Sequence, residues 1–176
     1  MLDAAVRVLD AEPDAGVAAV AVAAGVTRQT VYAHFPTREQ LLAAVLDHLT
    51  EQVVAAMDAA DPGTGPAADA LVRLLDAARR ASGRYPALVR KLGSLPVGQD
   101  GDHRRHAPVA DRLKEVIERG QGTGEFDDRL SSDWLVAVTI SLAHTASAET
   151  DAGRMPGEQA AEALRTSLLR VLGARQ

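Results

Sequence analysis

The sequence predicts an all-α fold of about nine helices, three short ones forming an N-terminal helix-turn-helix head ahead of a larger helical body. Three observations carry this. Apolar residues recur at helical intervals along nearly the whole chain and nowhere alternate as in a strand. Gly/Pro stretches such as Glu12-Pro13-Asp14-Ala15-Gly16 and Asp61-Pro62-Gly63-Thr64-Gly65-Pro66 punctuate those runs. Hydrophobic residues make up 47% of the 176 and aromatics only 3%, so Ala, Leu and Val must build the core, and small side chains suit close helix packing.

The elements follow in order. A first helix covers about Leu2 to Ala11, where the amphipathic set Leu2, Ala5, Val6, Leu9 begins directly, and the Pro13–Gly16 turn ends it. A second spans about Val17 to Ala24 and a third about Arg28 to Phe35, before Pro36. Thr37 caps a fourth, with Gln40 at capping-box spacing, and Leu41, Leu42, Val45, Leu46, Leu49, Val53 and Met57 form its stripe. A fifth runs from about Ala67 to Ser82 with Leu71, Leu74, Leu75 and Ala78 inward, and Pro86 opens a sixth reaching about Leu95. Residues Pro96 to Ala107 read as a polar loop, Pro108 to about Arg119 as a seventh helix, Asp133 to about Glu149 as an eighth capped by Ser132, and Pro156 to Gly173 as a ninth.

The segment around Thr27 is the most specific. Gly25 can take the left-handed conformation that ends a helix, and Val26 folds the chain back. Thr27 then serves as a hydroxyl N-cap able to accept from the Thr30 amide. The third helix turns Val31 and Phe35 to one side and leaves Arg28, Gln29, Thr30, Ala33 and His34 outward. Cationic and hydrogen-bonding side chains at a helix N-terminus are what a reader of the DNA major groove requires.

Charge and composition set limits. The net charge of −5 opposes DNA binding if read globally, yet no acid lies between Ala15 and Arg38, so a small neutral-to-basic patch sits on an acidic body. No run approaches the roughly 20 apolar residues of a membrane span, and no signal peptide precedes the first helix, so a cytoplasmic location is expected. With no cysteine, disulfides and thiolate metal sites are excluded. No nucleophile elbow, phosphate-cradling Gly motif or ligand-spaced His/carboxylate set is present, so neither an enzyme nor a cofactor is expected. His103 and His106, flanking Arg104 and Arg105, read as solvated polar residues rather than as a metal site.

Leu2-Asp3-Ala4-Ala5, then Val20-Ala21-Val22-Ala23-Ala24-Gly25-Val26-Thr27, then Thr30-Val31-Tyr32-Ala33-His34-Phe35-Pro36-Thr37-Arg38-Glu39-Gln40-Leu41-Leu42 resembles the DNA-binding head of the TetR/AcrR family of bacterial transcriptional regulators. The resemblance covers residues 1 to about 46; a Gly124-Glu125-Phe126 turn adds to it. It implies a DNA-binding domain at 1–46, an effector-binding and dimerisation domain at 47–176, and a homodimeric repressor released from a double-stranded, palindromic operator by a small molecule. It also implies roles at matching positions. Arg28 and Gln29 would face base edges, Thr27 and Thr30 phosphate, Tyr32 and His34 the backbone or a nearby base, and Arg38 a phosphate. Two departures stand out. Gly16, Val17 and Ala18 occupy places where the family commonly has a hydroxyl and a basic residue. The chain also starts inside the usual first helix, so an upstream segment is expected.

The body offers a dimer surface. Leu164, Leu168 and Val171 in the ninth helix and Trp134, Val138 and Leu142 in the eighth form apolar stripes, and two such helices from each subunit would make a four-helix bundle about a two-fold axis. The Leu, Val and Ala of helices four to eight suggest an apolar effector. Tyr85 and His144 are candidate effector contacts, with Arg79, Arg80, Arg84 and Arg90 as weaker ones. A dimeric ligand-binding or interaction protein that has lost operator binding is the alternative.

Overall fold

The computed structural model describes residues 1–93 and 99–174, with side chains outside 90, 92–93 and 99–105. The described residues form nine helices and no strand: α1 Leu2–Ala11, α2 Val17–Ala24, α3 Arg28–His34, α4 Arg38–Asp58, α5 Ala67–Ser82, α6 Pro86–Gly93, α7 Gln99–Gly122, α8 Ser132–Asp151 and α9 Gly157–Val171. The chain divides into two compact units, residues 1–53 with 79–106, and residues 54–78 with 107–176.

In the first unit, Ala5, Val6 and Leu9 of α1, Ala15, Val20 of α2, and Leu41 and Val45 of α4 form one buried cluster, completed by Leu88 of α6. Tyr85 and Phe35 pack against its edge. Leu88 shows that this core extends beyond the N-terminal 46 residues: α6 lies on α1, and its first free amides, Ala87 and Leu88, each donate to Asp10 Oδ1 at 3.0 Å. A carboxylate at a helix N-terminus satisfies orphan donors and meets the positive end of the helix dipole.

In the second unit, Arg73 and Arg119 hold the α4–α5 connection by its backbone. Arg73 donates to the carbonyls of Ala60, Asp61 and Thr64, and Arg119 to those of Pro62 and Gly65. Arg112 forks onto Asp58 at the end of α4, holding that carboxyl below the usual range. The Ala67 amide at the start of α5 donates to Glu125 Oε2 at 2.6 Å, giving the Gly124-Glu125-Phe126 turn a structural task. Helices α8 and α9 pack along one another, with Leu135, Val136 and Thr139 buried on α8 and Ala160 and Leu168 on α9.

Two boundaries differ from the sequence expectation. Helix α7 starts at Gln99, so the backbone of 99–107 is helical rather than a loop, and Pro108 lies inside the helix. Pro108 was read as a first-turn residue; a helix that begins upstream accommodates it at the cost of one backbone bond. The cap of α8 is Ser131, whose hydroxyl accepts from the Trp134 amide, not Ser132. Helix α6 is described over Pro86–Gly93, and its expected extension to about Leu95 lies outside the described residues. The side chains of Arg90, His103, Arg104 and Arg105 lie outside the described residues.

Gly120 faces the buried Phe126 ring so closely that a Cβ would stand 2.2 Å from Cδ2. Gly120→Ala is expected to destabilise the second unit by about 1–3 kcal/mol, the usual penalty of overpacking. A urea titration monitored by far-UV circular dichroism measures this, and an unchanged midpoint would show that Phe126 swings aside freely.

Candidate nucleic-acid interface

The surface is built from a turn. Gly25 closes α2 in the left-handed conformation at φ 67°, its amide bonding Val22 O, while the Val26 amide reaches back to Ala21 O at 3.0 Å. That double bond is a Schellman closure and fixes the angle at which α3 leaves. Thr27 caps α3: its Oγ1 accepts from the Thr30 amide at 3.1 Å and lies 2.9 Å from Thr30 Oγ1. Val31 is fully buried and anchors α3 to the head.

With Val31 inward, Arg28, Gln29, Tyr32, Ala33 and His34 are exposed and Thr30 is half-buried. Tyr32 shows 51% of its surface, its ring standing off the head rather than covering the core. His34 touches the half-buried Phe35 ring, centroids 6.2 Å apart. Arg28 makes no hydrogen bond or ion pair among the described residues, so its guanidinium is free for an external acceptor. Thr27, Arg28, Gln29, Tyr32 and His34 therefore share one small exposed helix.

Arg38 is differently placed. Its Nη1 donates to Ala15 O at 2.5 Å and its Nη2 to Pro13 O at 3.0 Å, so the guanidinium braces the α1–α2 turn from the start of α4. Charged donors to backbone carbonyls make strong bonds, and these hold the loop that presents α2. The turn is braced from α6 as well, by Asp14 against Lys91 Nζ at 3.0 Å and by Asp10 on the α6 amides. Asp10 and Asp14, two of the acids flanking the reading surface, are thus engaged with their own fold. Helix α2 has Gly16 as its N-cap with no side-chain bond, and Val22 on its outer face is 83% exposed.

The acidity of the chain is unevenly shared. The first unit holds ten Lys/Arg against nine Asp/Glu and the second nine against fifteen, so the second unit carries the negative excess and the unit containing α3 does not.

The family description "Bacterial regulatory proteins, tetR family" matches residues 1–45. The HTH-type transcriptional repressor LfrR of Mycolicibacterium smegmatis is 42% identical over 76 residues, 43% of this chain and 40% of the relative. Residues 1–45 are thus similar to the tetR family of bacterial regulatory proteins, and the match to LfrR spans less than half of either chain. The crystal structure of the TetR-like regulator LfrR from Mycobacterium smegmatis in complex with proflavine is 27% identical, covers 95% of this chain and 91% of its own, and superposes with a TM-score of 0.64. The fatty acid degradation regulator FadR from Bacillus halodurans, 16% identical, shares the fold at a TM-score of 0.78 over 96% of this chain and 95% of its own. The members of that family are described as bacterial regulatory proteins.

The remaining expected site residues are scattered. Tyr85 packs on the core of the first unit, whereas His144 is exposed on α8 in the second. Trp134 is 59% and Val171 38% exposed, Val138, Leu142 and Leu164 are half-buried, and Leu168 is buried within its own unit. Leu168 therefore fastens α9 to its own protomer and is no surface anchor. The outward face of α8 instead carries Trp134, Ala137, Ser141, His144 and Ala148. An open depression of about 400 Å3 lined by Gln121, Phe126, Asp127, Asp128 and Arg129 is polar and shallow, unlike the apolar effector pocket the sequence suggested. No three His, Asp or Glu side chains among the described residues converge as metal ligands, and no described helix is long and apolar enough to cross a membrane.

Arg38→Ala is expected to lower the stability of the first unit by about 1.5–3 kcal/mol, the range for hydrogen bonds to a charged group. Arg38→Lys should recover little, because a single ammonium cannot fork onto both carbonyls. Denaturant midpoints of the two variants test this; a lysine variant equal to wild type would reduce the contact to charge alone.

Proposed function

We propose that this chain is a sequence-specific transcriptional regulator, a homodimeric repressor that leaves a near-palindromic operator when its body takes up an apolar small molecule. The observation that carries the reading is the outward face of α3, where an unpartnered Arg28, Gln29 and Tyr32 project from a helix whose opposite side is fastened by Val31. Arg28 suits guanine O6 and N7, and Gln29 suits adenine N6 and N7, in the major groove. Thr27 and Thr30 would bond a phosphate at the helix start, Tyr32 and His34 would contact the backbone or a nearby base, and the remaining N–H groups of Arg38 would meet another phosphate.

A repressor role is supported by the name of the relative LfrR, and a small organic effector by the LfrR structure's being a complex with proflavine. A division of labour between 1–46 and 47–176 fits the match at 1–45, with α6 added to the head's core. Dimerisation is supported by the exposed Trp134, Ala137, Ser141 and Ala148, spaced to form a close-packing seam on α8, together with Val171. A two-fold dimer would set its reading helices about one DNA turn or more apart, on the order of 34 Å. With few cations on the reading surface, the electrostatic footprint should be small and the salt dependence of binding correspondingly shallow.

A second reading, a dimeric ligand-binding protein of this fold without operator binding, is favoured by Gly16, Val17 and Ala18, which offer phosphate neither hydroxyl nor charge at the start of α2. Selection from random DNA with the purified protein separates the two. Enrichment of an inverted repeat supports the regulator, and no enrichment at low salt supports the ligand-binding dimer. On the selected site, Arg28→Ala should cost about 1–3 kcal/mol and relax preference at one position; equal loss on random DNA would remove its base-reading role. Ser141→Arg, at the middle of the exposed α8 face, should yield a folded monomer by analytical ultracentrifugation, and a variant that stays dimeric moves the interface elsewhere.

A further inference from the structure

Helix α3 has its inward pole fixed by one residue. Val31 is fully buried, and at about 100° per residue Gln29 and Ala33 each lie about 160° from it, on either side of the outward pole. Arg28 and Tyr32 lie to one flank, Thr30 and His34 to the other. The two side chains that reach furthest into a groove receiving this helix are therefore Gln29 and Ala33, four residues and one turn apart. Ala33 is exposed, and its methyl has no polar capability, so at the centre of the face it presents the groove with an apolar contact only.

The apolar feature of the major groove is the C5-methyl group of thymine. We infer that Ala33 is a specificity-determining residue that packs its methyl on a thymine C5-methyl group in the operator half-site. The inference rests on the reading of α3 as a groove helix and adds the base that its central position recognises. Residues four apart on a helix are about 6 Å apart along its surface, and base pairs stack about 3.4 Å apart, so this thymine lies within one or two steps of the base read by Gln29. The shortness of Ala33 matters equally: a longer side chain at the pole would hold the helix off the base edges that Gln29 must reach.

The test uses the whole protein and a half-site taken from random-sequence selection. Each thymine is replaced singly by deoxyuridine, which deletes the methyl and keeps every hydrogen-bonding group. One thymine, next to the Gln29-dependent base, should lose about fourfold in affinity on replacement, the value of one buried methyl-sized contact. In Ala33→Gly that thymine and its deoxyuridine analogue should bind equally, while the other positions behave as in wild type. Ala33→Ser, a better helix former than glycine, guards against a variant whose α3 has frayed, and should show a reduced methyl effect. Specific binding with no methyl-sensitive thymine, or a methyl effect that persists at full size in both variants, overturns the assignment while leaving the regulator reading intact. Failure to enrich any sequence overturns both, and is distinguished by the absence of a half-site to substitute.

Discussion

A helix of seven residues does not hold its shape alone in water, since isolated helices shorter than about 12–15 residues are marginal. Whatever α3 presents therefore depends on the burial of Val31 against the head, with Phe35 packing at its end. The local devices are secondary: the Thr27 cap is worth about 1 kcal/mol, and the closure at Gly25 sets direction rather than stability. With one face committed to Val31, the opposite pole is determined, and the positions of Gln29 and Ala33 follow. A polar residue at 31 would free the helix to roll and scramble the whole outward face together.

The electrostatic arrangement follows the same economy. A chain of net charge −5 must keep its acids from the phosphate path, and here Asp10 and Asp14 are turned onto α6 while Arg38 is turned onto the carbonyls of the same turn. The α1–α2 turn is thereby held from two helices, which matters because α2 begins at Gly16 without a side-chain cap. Most other ion pairs, such as Arg165–Glu162 and Arg154–Glu149, are solvent-exposed helix-surface pairs of the kind that contribute little. The arginines that matter to the fold are those spending their donors on backbone: Arg38 in the first unit, Arg73 and Arg119 in the second.

The parts legible in the sequence are those whose cause is local. The bounds of α1, α2 and α5 and the capping of α3 by Thr27 are written in Gly, Pro and hydroxyl residues beside the affected backbone. Helix α7 was placed too late because proline is most at home in the first turn of a helix, and nothing beside Pro108 announces that this helix carries it inside instead. The bracing of the α1–α2 turn by Arg38 was not legible, because its carbonyl partners lie 23 and 25 residues away. The stripe containing Leu168 had the right period for an interface, yet period alone does not say which partner covers it, and the protomer's own α8–α9 packing does. Ala33 was legible as an outward residue, and the complete burial of Val31 fixes its place beside the outward pole.

The choice between an operator-binding protein and one that has lost its operator turns on how phosphate is held when Gly16, Val17 and Ala18 offer no side-chain donor. The start of α2 has no side-chain cap, so the first backbone N–H groups of that helix have no side-chain acceptor. A head that relies on amides and a few cations has fewer counterions to release than one studded with lysine, so its binding must lean on base contacts and shape for more of its free energy. That places the burden on the central pair of α3. A regulator built this way gains discrimination where it forfeits general affinity, and an acidic body reinforces the same bias by disfavouring DNA that the reading helix does not match.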